Sequence, residues 1–264
     1  MSIVEKHSPG SFCWVELGTT DAKAAKAFYG ALFGWQPNDM PMGPDQFYTM
    51  FKLGGKDTGA MYELDKNMRA MGIPPHWMLY VAVSNADEAA AKAKTLGAAV
   101  VKEPFDVFDA GRMAVIRDPA GAMFCIWQAN RNTGIQVAGE VNALCWSELC
   151  TSDTTKAIEF YTKLFGWTTK TSTDAPQEYT EISNQGQPVG GIMQIMKEWG
   201  NVPPTWLPYF MVANCDASVA QINQLGGSTK MPPMDIPKVG RFAVVADPQG
   251  AVFQIIQMAH MAAH

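Results

Sequence analysis

The chain has 264 residues, of which 47% are hydrophobic and 17% charged, and its formal net charge is -5. That balance is ordinary for a folded globular protein, excludes a disordered one, and leaves no electrostatic footprint for nucleic acid or an anionic membrane surface. No apolar run approaches the roughly 18 residues of a spanning helix and Met1 to Gly10 lacks the hydrophobic segment of a signal peptide, so the expected location is the cytoplasm.

Taken in chain order, Phe12 to Gly18 alternates as a strand. Thr20-Asp21 caps a helix that carries Ala24, Ala25, Phe28 and Leu32 at helical spacing, and Gly34 stops it. Three strands are predicted next, over 36–39, 46–53 and 58–64. The order then recurs: a strand over 77–83, a helix over 86–96 ended by Gly97, and strands near 100–102, 112–117 and 122–128. Setting Asp21 over Asp87 as the shared cap places Trp14 over Tyr80, each seven residues before its cap.

The second half repeats the first. Gly10 to Trp35 reappears 132 residues later as Asn142 to Trp167, with 13 of 26 positions identical, including Cys-Trp-x-Glu-Leu, Phe-Tyr and Leu-Phe-Gly-Trp. Gly111-Arg112 through Asp118-Pro119-x-Gly121 to Phe124 returns at a spacing of 129 as Gly240 to Phe253. A repeat this long is a domain, expected to have its own core, rather than a solenoid unit. The expected layout is a first domain over 8–130, a linker over 131–139 and a second domain over 140–259. Five cysteines without compact spacing fit reduced thiols better than a disulfide framework or a zinc site.

Four strand-helix-three-strand units, the Phe-Tyr-x-x-Leu-Phe-Gly-Trp helix end and the Asp-Pro-x-Gly turn together resemble the vicinal oxygen chelate superfamily. Glyoxalase I, extradiol dioxygenases, fosfomycin resistance enzymes and bleomycin-binding proteins belong to it. Asp109-Ala110-Gly111-Arg112-Met113, Trp127-Gln128-Ala129-Asn130-Arg131 and Val141-Asn142 leading into Trp146-x-Glu148-Leu149 look, more narrowly, like tandem glyoxalase-like proteins of actinobacteria, among them a mycobacterial antigen and proteins labelled as hydroxylases. The resemblance implies an α+β fold of four βαβββ units forming two glyoxalase/bleomycin-resistance-like domains, each with a mixed sheet curled into a cup that holds a ligand.

The same resemblance places metal ligands at positions occupied here by Trp14, Tyr80 and Cys125, and by Trp146, Tyr209 and Gln254. None is a histidine or glutamate. Three of the four histidines, His7, His260 and His264, lie in the tails, so the two-histidine, one-carboxylate triad of non-haem iron oxygenation cannot be assembled in a cup and extradiol cleavage is not expected. An improvised site from Glu16, Glu63, His76 and Cys125 is conceivable, with Glu148, Gln194, Thr205 and Gln254 as its weaker counterpart. The expectation is no metal and no other cofactor, with His76 in a loop beside Pro74-Pro75 making ordinary hydrogen bonds.

What recurs in both halves is a carboxylate. Strand alternation sets Glu16 on the face of Trp14 and Glu148 on that of Trp146, so if the indoles look into the cups the glutamates do too. Burial against an indole raises a carboxyl pKa and suits it to proton transfer near neutrality. The competing reading is structural, a buried ion pair of Glu16 with Arg112 and of Glu148 with Arg241. Met61, Met78, Tyr80, Met123 and Trp127, and in the second half Met193, Tyr209 and Ile256, are candidate cup linings whose adaptable surface suits a flat or hydrophobic molecule, or else they fill the core. Cys125 is either an inert buried thiol or a nucleophile. Two functions remain open. One is binding of a small, partly hydrophobic or aromatic molecule in metal-free cups, as the bleomycin-binding branch does. The other is a glyoxalase-like lyase or isomerase in which Glu16 or Glu148 moves a proton and Arg112 or Arg241 stabilises the developing charge. The partner is a small molecule, and the chain is expected as a monomer or homodimer.

Overall fold

A computed structural model describes residues 4–44, 46–172 and 178–259. The first half runs β1 (Phe12–Thr19), α1 (Ala22–Phe33), β2 (Gln36–Gly43), β3 (Gln46–Leu53), β4 (Lys56–Glu63), a short α2 (Lys66–Ala70), β5 (His76–Ala82), α3 (Ala86–Thr95), β6 (Ala99–Val107), β7 (Gly111–Arg117) and β8 (Met123–Ala129). The second runs β9 (Leu144–Thr151), α4 (Thr154–Phe165), β10 (Thr168–Ser172), β11 (Tyr179–Asn184), β12 (Gln187–Gln194), β13 (Thr205–Met211), α5 (Cys215–Gln224), β14 (Ser228–Ile236), β15 (Gly240–Ala246) and β16 (Val252–Met258). Among the described residues no helix is long and apolar enough to cross a membrane.

Each half forms one eight-stranded mixed sheet, in the orders β2-β3-β4-β1-β5-β8-β7-β6 and β10-β11-β12-β9-β13-β16-β15-β14. The strand-helix-three-strand plan therefore occurs four times, with the antiparallel β1/β5 and β9/β13 pairs joining the units of each sheet. The helices begin where polar side chains cap them: Asp21 Oδ1 accepts from the Ala24 amide at 2.9 Å, and Gly34 ends α1 at φ 70°. Two details differ from expectation. β2 and β6 are longer than predicted, and α2 was not anticipated; Asp65 caps it by accepting from the Met68 amide.

The cap of α3 is also displaced. Asn85, not Asp87, accepts from the first free amides, and Asn214 does so for α5. Counting seven back from these caps gives Met78 and Leu207 instead of Tyr80 and Tyr209. Asp87 is instead held by Arg112.

The expectation that each half has its own core is not what the packing shows. A single buried cluster runs through both halves, from Trp14 and Phe28 to Phe253 and Ile255. The reason is that α1 lays Tyr29 and Phe33, with Trp35 just beyond its end, against Phe210 of β13 and Phe253 of β16, while α4 lays Tyr161 against Phe124 of β8. Hydrogen bonds clasp the halves reciprocally. Trp35 Nε1 donates to the Asn142 carbonyl at 2.8 Å and Trp167 Nε1 to the Gly10 carbonyl at 2.7 Å. Tyr29 Oη donates to Asp247 at 3.0 Å and Tyr161 Oη to Asp118 at 2.9 Å, and each phenol accepts from an indole, Trp77 or Trp206. The residues that make the repeat conspicuous are thus the ones that join its copies. Residues 131–139 are built into the same body, with Ile135 and Val137 buried and the Ile135 amide bonded to the Cys13 carbonyl.

Candidate functional site

The other face of each sheet forms the cup. Register fixes which side chains point there: Trp14 lies opposite Tyr80, which lies opposite Cys125, and Glu16 lies opposite Met78 and Ala60. In the second half Trp146, Tyr209 and Gln254 form the same row, with Glu148 opposite Leu207 and Gly191. Trp127, Met193 and Ile256 share these faces by alternation.

Glu16 sits on the floor of the first cup, 8% exposed, and Glu148 on that of the second, 5% exposed. Their partners are phenols. Tyr80 Oη donates to Glu16 Oε2. Trp14 Nε1, which can only donate, gives its proton to Tyr48 Oη at 3.1 Å, so the Tyr48 hydroxyl proton is free to go to Glu16. In the second cup Trp146 donates to Tyr179 at 2.8 Å, and Tyr209 Oη and Gln254 Nε2 each donate to Glu148 Oε1 at 3.1 Å, with Tyr179 adding a further bond. Gly191 makes this possible, since a Cβ there would occupy the place of the Tyr179 hydroxyl.

Among the described residues no cation pairs with either glutamate. Burial therefore dominates and raises both carboxyl pKa values, with the phenols, and Gln254 in the second cup, pulling the other way. Each cup thus holds a carboxyl biased toward its neutral form, which can donate a proton or accept one.

Several expected assignments change. Arg112 and Arg241 do not enter the cups: they lie on the helix-bearing face, where Arg112 bridges Asp87 and Asp106 and Arg241 bridges Asp216 and Asp235. Neither the buried ion pair nor charge stabilisation by these arginines survives, because odd and even positions of β7 and β15 face opposite sides. Met61 lies opposite Leu17 on the helix side, 1% exposed, so it is core rather than lining. Glu63 is exposed and pairs with Arg69. His76 is not in a loop but opens β5, with Nδ1 on the Pro74 carbonyl at 2.8 Å. Cys125 is 1% exposed, and burial followed by proximity to Glu16 pushes its thiol far above its ordinary range, which favours the reading of an inert buried thiol. The cup-facing residues missed by sequence reasoning include Tyr48, Tyr62 and Tyr179; the Phe47-Tyr48 pair on β3 and the single tyrosines of β4 and β11 were the available signal.

The fold family implies a metal, and the donors do not fit one. The ligand-equivalent positions, whether counted from the expected or the observed cap, hold tryptophan, tyrosine, methionine, leucine, cysteine and glutamine. Among the described residues no group of three or more His, Cys, Asp or Glu could hold an ion.

Fold and site together define a tandem vicinal-oxygen-chelate protein with tryptophan, tyrosine, cysteine and glutamine across the central rows of its cups. The model of the Glyoxalase/Bleomycin resistance protein/Dioxygenase superfamily matches residues 11–126 and 143–255, and the chain belongs to that superfamily. It is 39% identical over 256 residues to a Mycobacterium tuberculosis protein named "Putative glyoxylase CFP32", covering 96% of this chain and 97% of that one. It is 33% identical over 270 residues to the anthracycline biosynthesis protein DnrV of Streptomyces peucetius, covering 96% and 95%. Among solved structures, the Mn(II)-bound glyoxalase of Novosphingobium aromaticivorans matches with a TM-score of 0.65 at 16% identity, over 94% of this chain and 82% of that one. At that identity the likeness is one of fold.

Proposed function

We propose that the protein binds a small, partly hydrophobic or aromatic molecule in its cups, without a metal, and we take 8–130 and 140–259 as the units that carry one cup each. The observation that carries this reading is the pairing, in both halves, of a cation-free buried carboxyl with phenol and indole donors on a floor of aromatic and thioether surface. Such a floor offers stacking area and few, well-placed polar atoms, which is the usual make-up of a small-molecule site. Trp14, Tyr80, Cys125 and Trp127 line the first cup in this account, and Trp146, Met193, Tyr209 and Gln254 the second. The part-exposed walls, including Tyr48, Met78 and Met193, meet the ligand first, and the nearly covered floor fixes its polar atoms. DnrV, a relative with a role in making a polycyclic aromatic product by its name, supports an aromatic ligand class.

The raised carboxyl pKa values keep a second reading in play, proton transfer by Glu16 or Glu148. The double variant Glu16→Gln, Glu148→Gln separates the two. Quenching of cup tryptophan fluorescence by an aromatic ligand should persist within about threefold, since the amide keeps an acceptor and the stacking surface. A loss of binding by orders of magnitude would reject the carboxyls as replaceable polar contacts. If a carbonyl substrate is turned over by the wild type, its turnover vanishes in the variant under the second reading alone.

A further inference from the structure

The two cups share a floor but differ in the next row toward one end. Gly18 of β1 lies opposite Tyr62 on β4 and His76 on β5. The corresponding row in the second half is Cys150, opposite Met193 and Thr205. Alternation from Trp14 and Glu16 puts Gly18 on the cup side, and its neighbours in the row face the same way. A Cβ on Gly18 would lie 2.9 Å from His76 Cε1 and 3.1 Å from Tyr62 Oη, so an imidazole and a phenol close over a glycine that has no side chain to keep them apart. In the second cup the Cys150 side chain takes that place, Met193 supplies a thioether, and the Thr205 hydroxyl bonds the Trp206 carbonyl at 3.4 Å.

The first row is polar and directional. The Pro74 carbonyl can only accept, so His76 Nδ1 carries the proton and, in the neutral ring, Nε2 is left as an acceptor. Among the described residues neither His76 Nε2 nor Tyr62 Oη has a side-chain hydrogen-bond partner, and both residues are part-exposed at the cup wall. One acceptor and one rotatable donor stand side by side, next to the apolar surface of Met78 in the adjoining row and of Leu64. That combination matches a hydroxyl, which needs one partner for its proton and one for its lone pair. An anionic ligand fits less well, because Glu16 is two residues along β1 and Arg69, the cation at that end, is held by Glu63 and by the Leu64 and Thr20 carbonyls.

We propose that the first cup is selective for an aromatic hydroxyl: His76 Nε2 accepts the O–H of a phenol, Tyr62 Oη donates to the same oxygen, and the ring lies on the aromatic and thioether wall. The second cup lacks this selectivity and takes aromatic surface without reading a hydroxyl. This rests on the reading of the cups as small-molecule sites. Tyr62 and His76 are then the specificity-determining residues that separate the halves.

Isothermal titration at mildly alkaline pH with 2-naphthol and with its methyl ether, 2-methoxynaphthalene, tests the proposal. The wild type is expected to contain one site that prefers the naphthol by about tenfold or more, since the ether removes one hydrogen bond and crowds the other. The double variant Tyr62→Met, His76→Thr gives the first cup the second cup's residues at these two positions and should erase that preference, bringing the two affinities to within about twofold of each other. Tyr62→Phe keeps the ring and only removes the donor, so it tests the same point if the double variant fails to fold; a several-fold loss is expected. Equal binding of both compounds by the wild type, or an unchanged preference in the folded variants, overturns the selectivity while leaving the cups as binding sites. No binding of either compound overturns the selectivity and the underlying cup reading together.

Discussion

Replacing Asp118 or Asp247 by alanine is expected to lower the free energy of unfolding by about 3–5 kcal/mol, the largest effect of any single polar substitution considered, because several buried donors lose their acceptor together. Asp118 Oδ1 accepts from the amides of Ala120, Gly121 and Ala122 at 2.9, 2.7 and 2.9 Å, and its Oδ2 accepts from Tyr161 of the other half at 2.9 Å. Asp247 repeats the arrangement with the amides of Gln249 and Ala251 and with Tyr29. One side chain thus closes a turn and anchors the opposite half. Tyr161→Phe keeps the packed ring but removes the bond to Asp118 and leaves the buried Trp206 indole N–H without its acceptor, so it should cost about 1–3 kcal/mol. Denaturant unfolding of the four corners of an Asp118/Tyr161 double-mutant cycle measures both, and the two changes should be strongly non-additive because they share one bond. A loss for Asp118→Ala within the roughly 0.5 kcal/mol typical of surface changes would mean that the clasp does not hold the halves together.

Stability should fall as the pH rises from the ordinary carboxylate range into neutrality, and the glutamate-to-glutamine double variant should flatten that fall. Glu16 and Glu148 have an ordinary value of 4.5, and burial raises both in the folded state. A group whose pKa is higher folded than unfolded binds more protons in the folded state between the two values. Its contribution to stability is complete below the unfolded value and is lost as the pH climbs toward the folded one. Asp118 and Asp247 are shifted in the same direction, again chiefly by burial, so four buried carboxyls act together. Melting temperatures measured from about pH 5 to about pH 8 should decrease, because burial raises the glutamate pKa values in the folded state. In Glu16→Gln, Glu148→Gln the aspartates alone remain and the slope should be visibly smaller. A slope that the double variant leaves unchanged would show that the glutamates are ionised on the cup floors, held by their phenol donors against burial; His7, whose pKa burial lowers, works in the opposite direction in both proteins alike.

Much of the fold was legible because its signals are local. Alternation marked β1, Asp21 and Gly34 marked the ends of α1, and the 132-residue repeat carried the whole plan into the second half. The displaced cap of α3 arose because Asn85 and Asp87 are both good capping residues, and nothing local says that Asp87 is claimed by Arg112. That slip of two residues kept the face, so Tyr80 still points into the cup. Slips of one are harsher. On β4 the odd positions, with Met61, turned out to face the helices, which hid Tyr62; on β7 the same parity question sent Arg112 outward. The clasp itself was out of reach, because Tyr29 and Asp247 are 218 residues apart and each looks complete within its own motif. The repeated motifs suggested two sites, whereas part of what they preserve is the joint between the halves.

On the floors of the cups the carboxyls are set among phenols and indoles, and the proposed function takes those floors to work without a metal. Native mass spectrometry of protein purified without chelators or metal-affinity steps, combined with elemental analysis, addresses this directly. The account predicts no stoichiometric transition metal and a mass increase matching a small organic molecule, or saturable uptake of an added aromatic one. A stoichiometric metal ion that stays bound through gentle desalting, with no organic ligand taken up, would contradict it.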